Sequence, residues 1–92
     1  MIVRFRHKGL RLLYENDDPR RRPPQQIAKT GRILARLDIA ADPTAMKVPG
    51  LHLHPLKGTL AGYWSVRVSA NWRIVFRFDG GDATDVDLTD CH

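Results

Sequence analysis

Residues 63–78 of this 92-residue chain read YWSVRVSANWRIVFRF, and their pattern predicts the central strands of a sheet. Apolar and polar side chains alternate on both sides of the pair Ala70-Asn71. Such alternation predicts two half-buried strands, and the short polar connection predicts a hairpin. The predicted inward side chains are Trp64, Val66 and Val68, then Trp72, Ile74, Phe76 and Phe78, and the predicted outward ones are Tyr63, Ser65, Arg67 and Ser69, then Arg73, Val75 and Arg77.

A third strand is predicted directly after this hairpin. Asp79-Gly80-Gly81-Asp82 is a strong turn signal, and it leads into residues 83–88. Val86 and Leu88 are expected to face inward, and Asp85 and Asp87 outward. The result is a three-stranded antiparallel meander with one apolar and one polar face. Cross-strand salt bridges can account for some outer charges, but the bases there outnumber the acids.

The first half of the chain supplies the cover for the apolar face. A short first strand is expected at residues 2–5, a helix at 9–15, a loop at 16–24 and a second helix from Pro24 to Ala41. Ile27, Ile33, Leu34, Leu37 and Ala41 fall on one stripe of that second helix. The sequence therefore predicts one α+β domain over residues 1–92, with a two-helix hairpin packed on one face of a small antiparallel sheet.

Charge is distributed unevenly along the chain. All fifteen Lys and Arg residues and five of the ten acids lie in residues 1–77, whereas residues 78–92 contain five Asp and no base. A basic body attracts polyanions such as RNA, although a solvated basic surface without a partner is the plainer interpretation. The single cysteine excludes an internal disulfide. With no signal peptide and no membrane-spanning run, we expect a cytoplasmic protein with no membrane partner.

The segment Leu51-His-Leu-His-Pro-Leu-Lys-Gly58 is the most distinctive in the chain. Pro55 favours an extended His54, so we expect a short edge strand followed by a turn, with His52 and His54 on one face. Histidine suits proton transfer near neutral pH, and Lys57 can meet a phosphate from the turn. The alternative is that His54 has a structural role and takes no part in catalysis.

The chain ends in Asp90-Cys91-His92, and three interpretations of this end stay open. It is a second part of a catalytic site, a frayed polar terminus, or half of a metal site. The ligand types for a metal are present in His52, His54, Asp90, Cys91 and His92, but their spacing matches no zinc-finger or hydrolase motif. Cys91 also lacks the partner arrangement of a catalytic nucleophile.

Several separate motifs in register resemble one family of bacterial toxins. They are Phe5-Arg-His-Lys-Gly-Leu10, Leu53-His-Pro-Leu-Lys-Gly58, Gly62-Tyr-Trp-Ser65, Ala70-Asn-Trp-Arg-Ile74 and Asp90-x-His92. In order and spacing they are similar to the HigB toxins, the plasmid maintenance system killer branch of the RelE superfamily. The similarity spans essentially the full chain and is weakest over residues 16–50.

This resemblance implies a RelE-like fold and a toxin of a type II toxin–antitoxin system. It further implies an endonuclease that cuts mRNA in the ribosomal A site without metal or cofactor, and a helix-turn-helix antitoxin of the HigA kind. Carried over to this chain, the catalytic residues are His54, Asp90 and His92. Lys57 and Arg73 would stabilise the phosphate, with Arg67 and Arg77 as lesser candidates for holding the RNA backbone.

One position departs from the family pattern. The family has a tyrosine before its last histidine, and this chain has Cys91, which cannot stack on a base. Either that role is dispensable, or Tyr63 compensates, or cleavage is weakened. Besides the nuclease, the alternatives are therefore a non-catalytic module of the same fold that binds RNA or the ribosome, and a metal-dependent hydrolase.

Overall fold

A computed structural model of the protein describes residues 1–16 and 24–90, with the backbone alone described for residues 16 and 24–27. The helices are α1 (Lys8–Asn16) and α2 (Pro24–Ile39), and the strands are β1 (His54–Pro55), β2 (Trp64–Arg67), β3 (Trp72–Asp79) and β4 (Asp82–Asp90). Two 3₁₀ turns lie at Pro43–Met46 and Gly58–Leu60. The predicted loop at 16–24 falls almost wholly outside the described residues.

The strands form one antiparallel sheet in the order β1-β2-β3-β4. The predicted meander and the short edge strand at His54 are therefore confirmed. The tight connection between β3 and β4 follows from its two glycines, because Gly80 and Gly81 both have positive φ, +61° and +88°. A two-residue hairpin turn of that kind matches the twist of the flanking strands.

The predicted first strand is not a regular strand. Residues 1–6 instead lie parallel to β4, where isolated bridges join Ile2 to Ala83 and Phe5 to Val86. The Val3 amide donates to the Ala83 carbonyl at 2.9 Å, and the Arg6 amide donates to the Val86 carbonyl at 2.8 Å. This segment extends the sheet past β4, but α1 begins at Lys8 and leaves too few residues for a longer ladder.

The core lies between the two helices and one face of the sheet. Its buried members come from the predicted helical stripes and the inward rows of the strands, and they include Leu10, Leu13, Ile33, Leu34, Leu37, Val66, Ile74, Phe76 and Val86. Helix α2 ends at Ile39, two residues earlier than predicted, because Asp42 caps the first 3₁₀ turn by accepting a hydrogen bond from the Thr44 amide at 2.9 Å. Neither described helix combines the length and apolarity that a membrane crossing needs.

Opposite the core, the outer face of the sheet is less uniformly polar than predicted. Val75 is 5% exposed although it is not part of the core cluster, and Ser65 is 1% exposed. They are Cα partners in adjacent strands. The centre of the outer face is therefore closed to solvent.

A bulge in β4 changes the register of the last two strands. Val75 pairs with Asp87, whereas Arg77 pairs with Thr84, so β4 carries one residue more than β3 between these pairs. Asp85 has a φ of +53°, which is uncommon outside glycine. The extra residue directs the Asp85 carboxylate back to β3, where Arg77 Nε donates to it at 2.7 Å.

A carboxylate ties the start of the chain to the end of α2. Asp38 Oδ1 accepts hydrogen bonds from the Tyr14 hydroxyl at 2.6 Å and from the Ile2 amide at 3.0 Å. These donors, the Tyr14 hydroxyl foremost, hold the pKa of Asp38 below its ordinary value of 3.8. The same hydrogen bond, together with burial, raises the pKa of Tyr14 to about 12.

Replacing Asp38 should cost stability in a pH-dependent manner. Because the pKa of Asp38 is lower in the folded chain than in the unfolded chain, its contribution is complete above pH 3.8 and is lost as the pH falls through the folded value. We expect Asp38→Asn to lower the free energy of unfolding by about 1–2 kcal/mol at pH 7 and by less below about pH 4. Urea titrations at both pH values measure the difference.

The matched control is Glu15→Gln, which removes a carboxylate from the exposed pair that Glu15 forms with Arg11 at 4.0 Å. Its effect should stay within about 0.5 kcal/mol. An Asp38→Asn deficit that is the same at pH 7 and pH 3 would contradict the account.

Candidate active site

The site is built on the outer face of the sheet, where two rows of side chains cross the strands. One row follows the Cα pairs from His54 to Ser65, then Val75 and Asp87. The neighbouring row runs from Arg67 to Arg73 and Thr89. Because side chains alternate along a strand, both rows face away from the helices. The structure therefore brings together two predicted site residues, His54 and Arg73.

The imidazole of His54 is held at both of its nitrogens. Nε2 lies 3.4 Å from Arg73 Nη1 and 3.3 Å from Ser65 Oγ, and Nδ1 lies 3.2 Å from the His52 carbonyl oxygen. A guanidinium only donates and a carbonyl only accepts, so these partners assign the neutral tautomer with hydrogen on Nδ1 and a lone pair on Nε2. The ring thus presents a proton acceptor beside a cation. Contacts of this length are typical of a site without substrate.

His52 does not share a face with His54 as the sequence predicted. Strand β1 begins only at His54, and His52 has a φ of +52°, in the left-handed region. The alternation assumed between the two histidines is therefore absent. What His52 contributes is its carbonyl oxygen, which faces Nδ1 of His54.

Two arginines lie directly opposite one another in this face. Arg67 and Arg73 are Cα partners in β2 and β3. Like charges at opposed positions of a sheet repel, and this costs stability unless an anion lies between them. Arg67 Nε donates to the Ser69 carbonyl at 3.2 Å and its side chain is exposed. The pair therefore has the character of an anion-binding surface next to His54.

Lys57 lies at the start of the second 3₁₀ turn, three residues after His54, and is exposed. The turn is fixed to β2 because the Leu56 amide donates to the Tyr63 carbonyl at 2.9 Å. Lys57 is thus on the segment that carries His54, at a position from which a long side chain reaches solvent.

Arg77 is separate from this cluster. Its Nε lies 2.7 Å from Asp85 Oδ2, and Arg4 Nε lies 3.3 Å from Asp85 Oδ1. The buried Asp85 carboxylate, and to a lesser extent Tyr63, raise the pKa of Arg77 further above its ordinary value. The expected cross-strand salt bridge is confirmed in this pair. Arg77 therefore has a structural partner that Arg73 does not share.

Asp90 ends β4 and pairs with Trp72. This places it in the row of Leu88 and Ile74, which alternates with the row of Arg73 and Thr89. The described residues therefore do not bring Asp90 to the arginine-bearing face beside His54. Cys91 and His92, the remaining residues of the predicted C-terminal part of the site, lie outside the described residues.

The sequence pattern predicts the position of Ser65 but gives it no role in the site. Ser65 is predicted to face outward, and it does, but it is buried and lies within hydrogen-bond distance of the His54 ring. Only the pairing of β1 with β2, which alternation within one strand does not reveal, could have identified it.

Two other features bear on the alternatives. Within residues 1–16 and 24–90, no three His, Cys, Asp or Glu side chains gather as metal ligands would. A groove between α2 and residues 48–51 lies apart from His54, and it is lined by apolar side chains together with Lys29, Arg32 and Arg36. This groove is a second basic surface of the chain.

Comparison with known proteins gives full-length matches. The family described as "RelE-like toxin of type II toxin-antitoxin system HigB" matches residues 3–92. The chain is 41% identical over 92 residues to "Endoribonuclease HigB" of Proteus vulgaris, covering 100% of both proteins. It is 32% identical over 90 residues to "Toxin HigB-1" of Vibrio cholerae serotype O1, covering 96% of this chain and 95% of that protein.

Solved structures match in fold. The YoeB/ParE toxin from Agrobacterium tumefaciens aligns with a TM-score of 0.60 at 23% identity, over 99% of this chain and 96% of that one. The YoeB dimer from Staphylococcus aureus aligns with a TM-score of 0.55 at 19% identity, over 99% and 94%. The expected RelE-like α+β fold is confirmed. With a family match over nearly its whole length, this chain belongs to the RelE-like HigB toxins of type II toxin–antitoxin systems.

Proposed function

We propose that the protein is an endoribonuclease that cuts mRNA in the ribosomal A site and so inhibits translation in the cytoplasm, without a metal ion. The observation that carries the proposal is the placement of His54 Nε2, with its lone pair, 3.4 Å from Arg73 Nη1 on the outer face of the sheet. The activity named for the Proteus vulgaris relative, which is similar over its full length, supports it.

The chemistry is an internal transfer at phosphorus. The 2′-hydroxyl oxygen attacks the adjacent phosphorus, a base takes the hydroxyl proton, and the bond to the 5′-oxygen breaks as an acid protonates that oxygen. The extra negative charge on the phosphate needs cations fixed in advance. Arg73 and the opposed Arg67 supply such cations beside a proton acceptor, and Lys57 adds a third.

The roles proposed for the C-terminal residues rest on the family resemblance alone. By that resemblance Asp90 and His92 take part in cleavage, and Asp90 orients or polarises a histidine. The register of β4 puts Asp90 in the row that faces the helices, so its participation would require a different arrangement of the end of β4 from the one described. Arg77 is a weaker candidate for RNA binding because it already pairs with Asp85.

The proposed partners follow from the type of system. A type II toxin is neutralised by a protein antitoxin, and here we propose a helix-turn-helix protein of the HigA kind. Finding an adjacent small gene that encodes such a protein would be the simplest supporting observation. The other partners are the ribosome and the message that it carries.

A second candidate is a non-catalytic module that binds the ribosome or antitoxin on the same fold. Cys91 favours it, because a thiol replaces the phenol that the family has before its last histidine. Binding depends on the arginine surface, which does not involve that position, so binding would survive where cleavage is impaired.

Substitutions at the two central residues should abolish toxicity. Expressed alone, the protein should arrest growth, whereas His54→Ala removes the proton acceptor and Arg73→Ala removes the adjacent cation. Each should lower the cleavage rate by roughly 100-fold or more. Arg11→Ala is the control, since Arg11 lies on α1 in an exposed pair with Glu15. Growth arrest that persists in both site variants would show that the site is elsewhere.

Purified components should distinguish an enzyme from a binder. With ribosomes and message, we expect new 5′ ends inside the open reading frame, detected by primer extension. Phenanthroline should leave their yield unchanged, because it removes transition metals while leaving the Mg²⁺ that ribosomes require. Ribosome association without cut ends would favour the binding module, and loss of cutting with phenanthroline would favour a metal-dependent hydrolase.

Restoring the family's aromatic residue should accelerate cleavage. Cys91→Tyr supplies a ring that can stack on an unpaired base, a contact worth about 1–3 kcal/mol in single-stranded recognition. We expect at least a severalfold higher cleavage rate on ribosome-bound message, with Cys91→Ser as the control that adds no ring. Equal rates for the three proteins would mean that an aromatic group at this position is dispensable here.

A further inference from the structure

Ser65 lies on the outer face of the sheet, and the reaction proposed above gives it no role. It is 1% exposed, although it points away from the core, and its Oγ lies 3.3 Å from Nε2 of His54. It is also the Cα partner of His54 across β1 and β2. A buried hydroxyl needs a hydrogen-bond partner, and here that partner is the reactive nitrogen of the site.

The two contacts of Nε2 differ in whether they remain possible after Nε2 gains a proton. Arg73 can only donate, so it fits Nε2 only while that nitrogen carries a lone pair. The Ser65 hydroxyl can donate to the bare nitrogen and can also accept from it after it has gained a proton. Of these two contacts, Ser65 is the one that fits the ring both before and after proton transfer.

The opposite nitrogen of the ring faces a backbone carbonyl. The His52 carbonyl accepts from Nδ1, and it does so in a backbone conformation with φ of +52°, which non-glycine residues seldom adopt. The ring is therefore held between a backbone carbonyl, which only accepts, on one edge and a hydroxyl, which can donate or accept, on the other. A ring held in this way cannot easily turn Nε2 away from Arg73.

We propose, on the basis of the function proposed above, that Ser65 is a positioning residue that makes His54 the base of the reaction. The proton of the 2′-hydroxyl passes to Nε2 of His54 as the oxygen bonds to phosphorus and the bond to the 5′-oxygen breaks. A separate acid protonates that 5′-oxygen. In the free protein the Ser65 hydroxyl donates to the Nε2 lone pair and so fixes the ring; the 2′-hydroxyl of the substrate replaces it as donor, and Ser65 then accepts from the protonated Nε2.

The test compares three substitutions at Ser65 with one control. Ser65→Ala removes the hydroxyl, Ser65→Thr keeps it, and Ser65→Cys keeps the size with a much weaker donor. Thr30→Val is the control, because Thr30 is fully buried in α2 and its hydroxyl has no hydrogen-bond partner among the described residues. The readouts are kcat and KM on ribosome-bound message, the pH dependence of kcat, and the ¹⁵N NMR signals of the His54 ring in the free protein.

For Ser65→Ala we expect kcat to fall roughly tenfold with KM within about twofold, since base positioning and not binding is lost. The low-pH limb of the kcat profile, on which a general base must be deprotonated, should shift, and the ring should change from one tautomer to a mixture. Ser65→Thr should recover most of the rate, and Thr30→Val should match the parent protein. If Ser65→Ala does not fold, Ser65→Cys should show the same loss.

The NMR readout separates failure of this inference from failure of the proposed function. A single Nδ1-protonated tautomer that persists in Ser65→Ala and Ser65→Cys, with kcat unchanged, would overturn the role of Ser65 while leaving the nuclease intact. If the parent protein produced no cut ends, the function would fall, and the ring signals would still decide whether Ser65 orients His54.

Discussion

The register between β2 and β3 is the constraint on which the site depends. Pairing Ser65 with Val75 and Arg67 with Arg73 puts the buried hydroxyl and the two guanidinium groups on one face, and pairing His54 with Ser65 adds the imidazole. A slip of one residue would reverse the faces, placing arginines in the core and Ile74 in solvent. The burial of Val66, Ile74 and Phe76 therefore fixes the register, and the apolar core positions the polar site.

The sequence pattern predicted what depends on local periodicity. Alternation in β2 and β3 located both strands and the outward position of Arg73, and Gly80-Gly81 located the hairpin turn. It failed where a contact between distant segments decides the outcome. The parallel bridges of residues 1–6, the bulge at Asp85, the left-handed His52 and the burial of Ser65 each depend on a neighbour far along the chain or on one backbone angle. None of these leaves a periodic signal.

The charged residues also show the difference between what the sequence pattern predicts and what tertiary contacts decide. Composition alone treated the arginines of the outer face as one set, but the structure separates them. Asp85, brought back toward β3 by the bulge, pairs with both Arg77 and Arg4 and offsets one of their two charges. Arg67 and Arg73 instead lie opposite each other beside His54, which retains the positive potential there. A phosphate-binding site needs such a local excess of positive charge. Positive charge spread over the whole surface attracts RNA but does not place the scissile phosphate next to the catalytic base.

In the proposed reaction the message binds at His54 and Arg73. Cryo-electron microscopy of the toxin on a ribosome, with an A-site codon methylated at the attacking 2′-oxygen to prevent cleavage, would locate the bound message. We predict that the methylated 2′-oxygen lies next to His54 Nε2 and that Arg73 contacts the phosphate that follows. A message bound elsewhere, for example along the groove of Lys29, Arg32 and Arg36 on α2, would contradict the account.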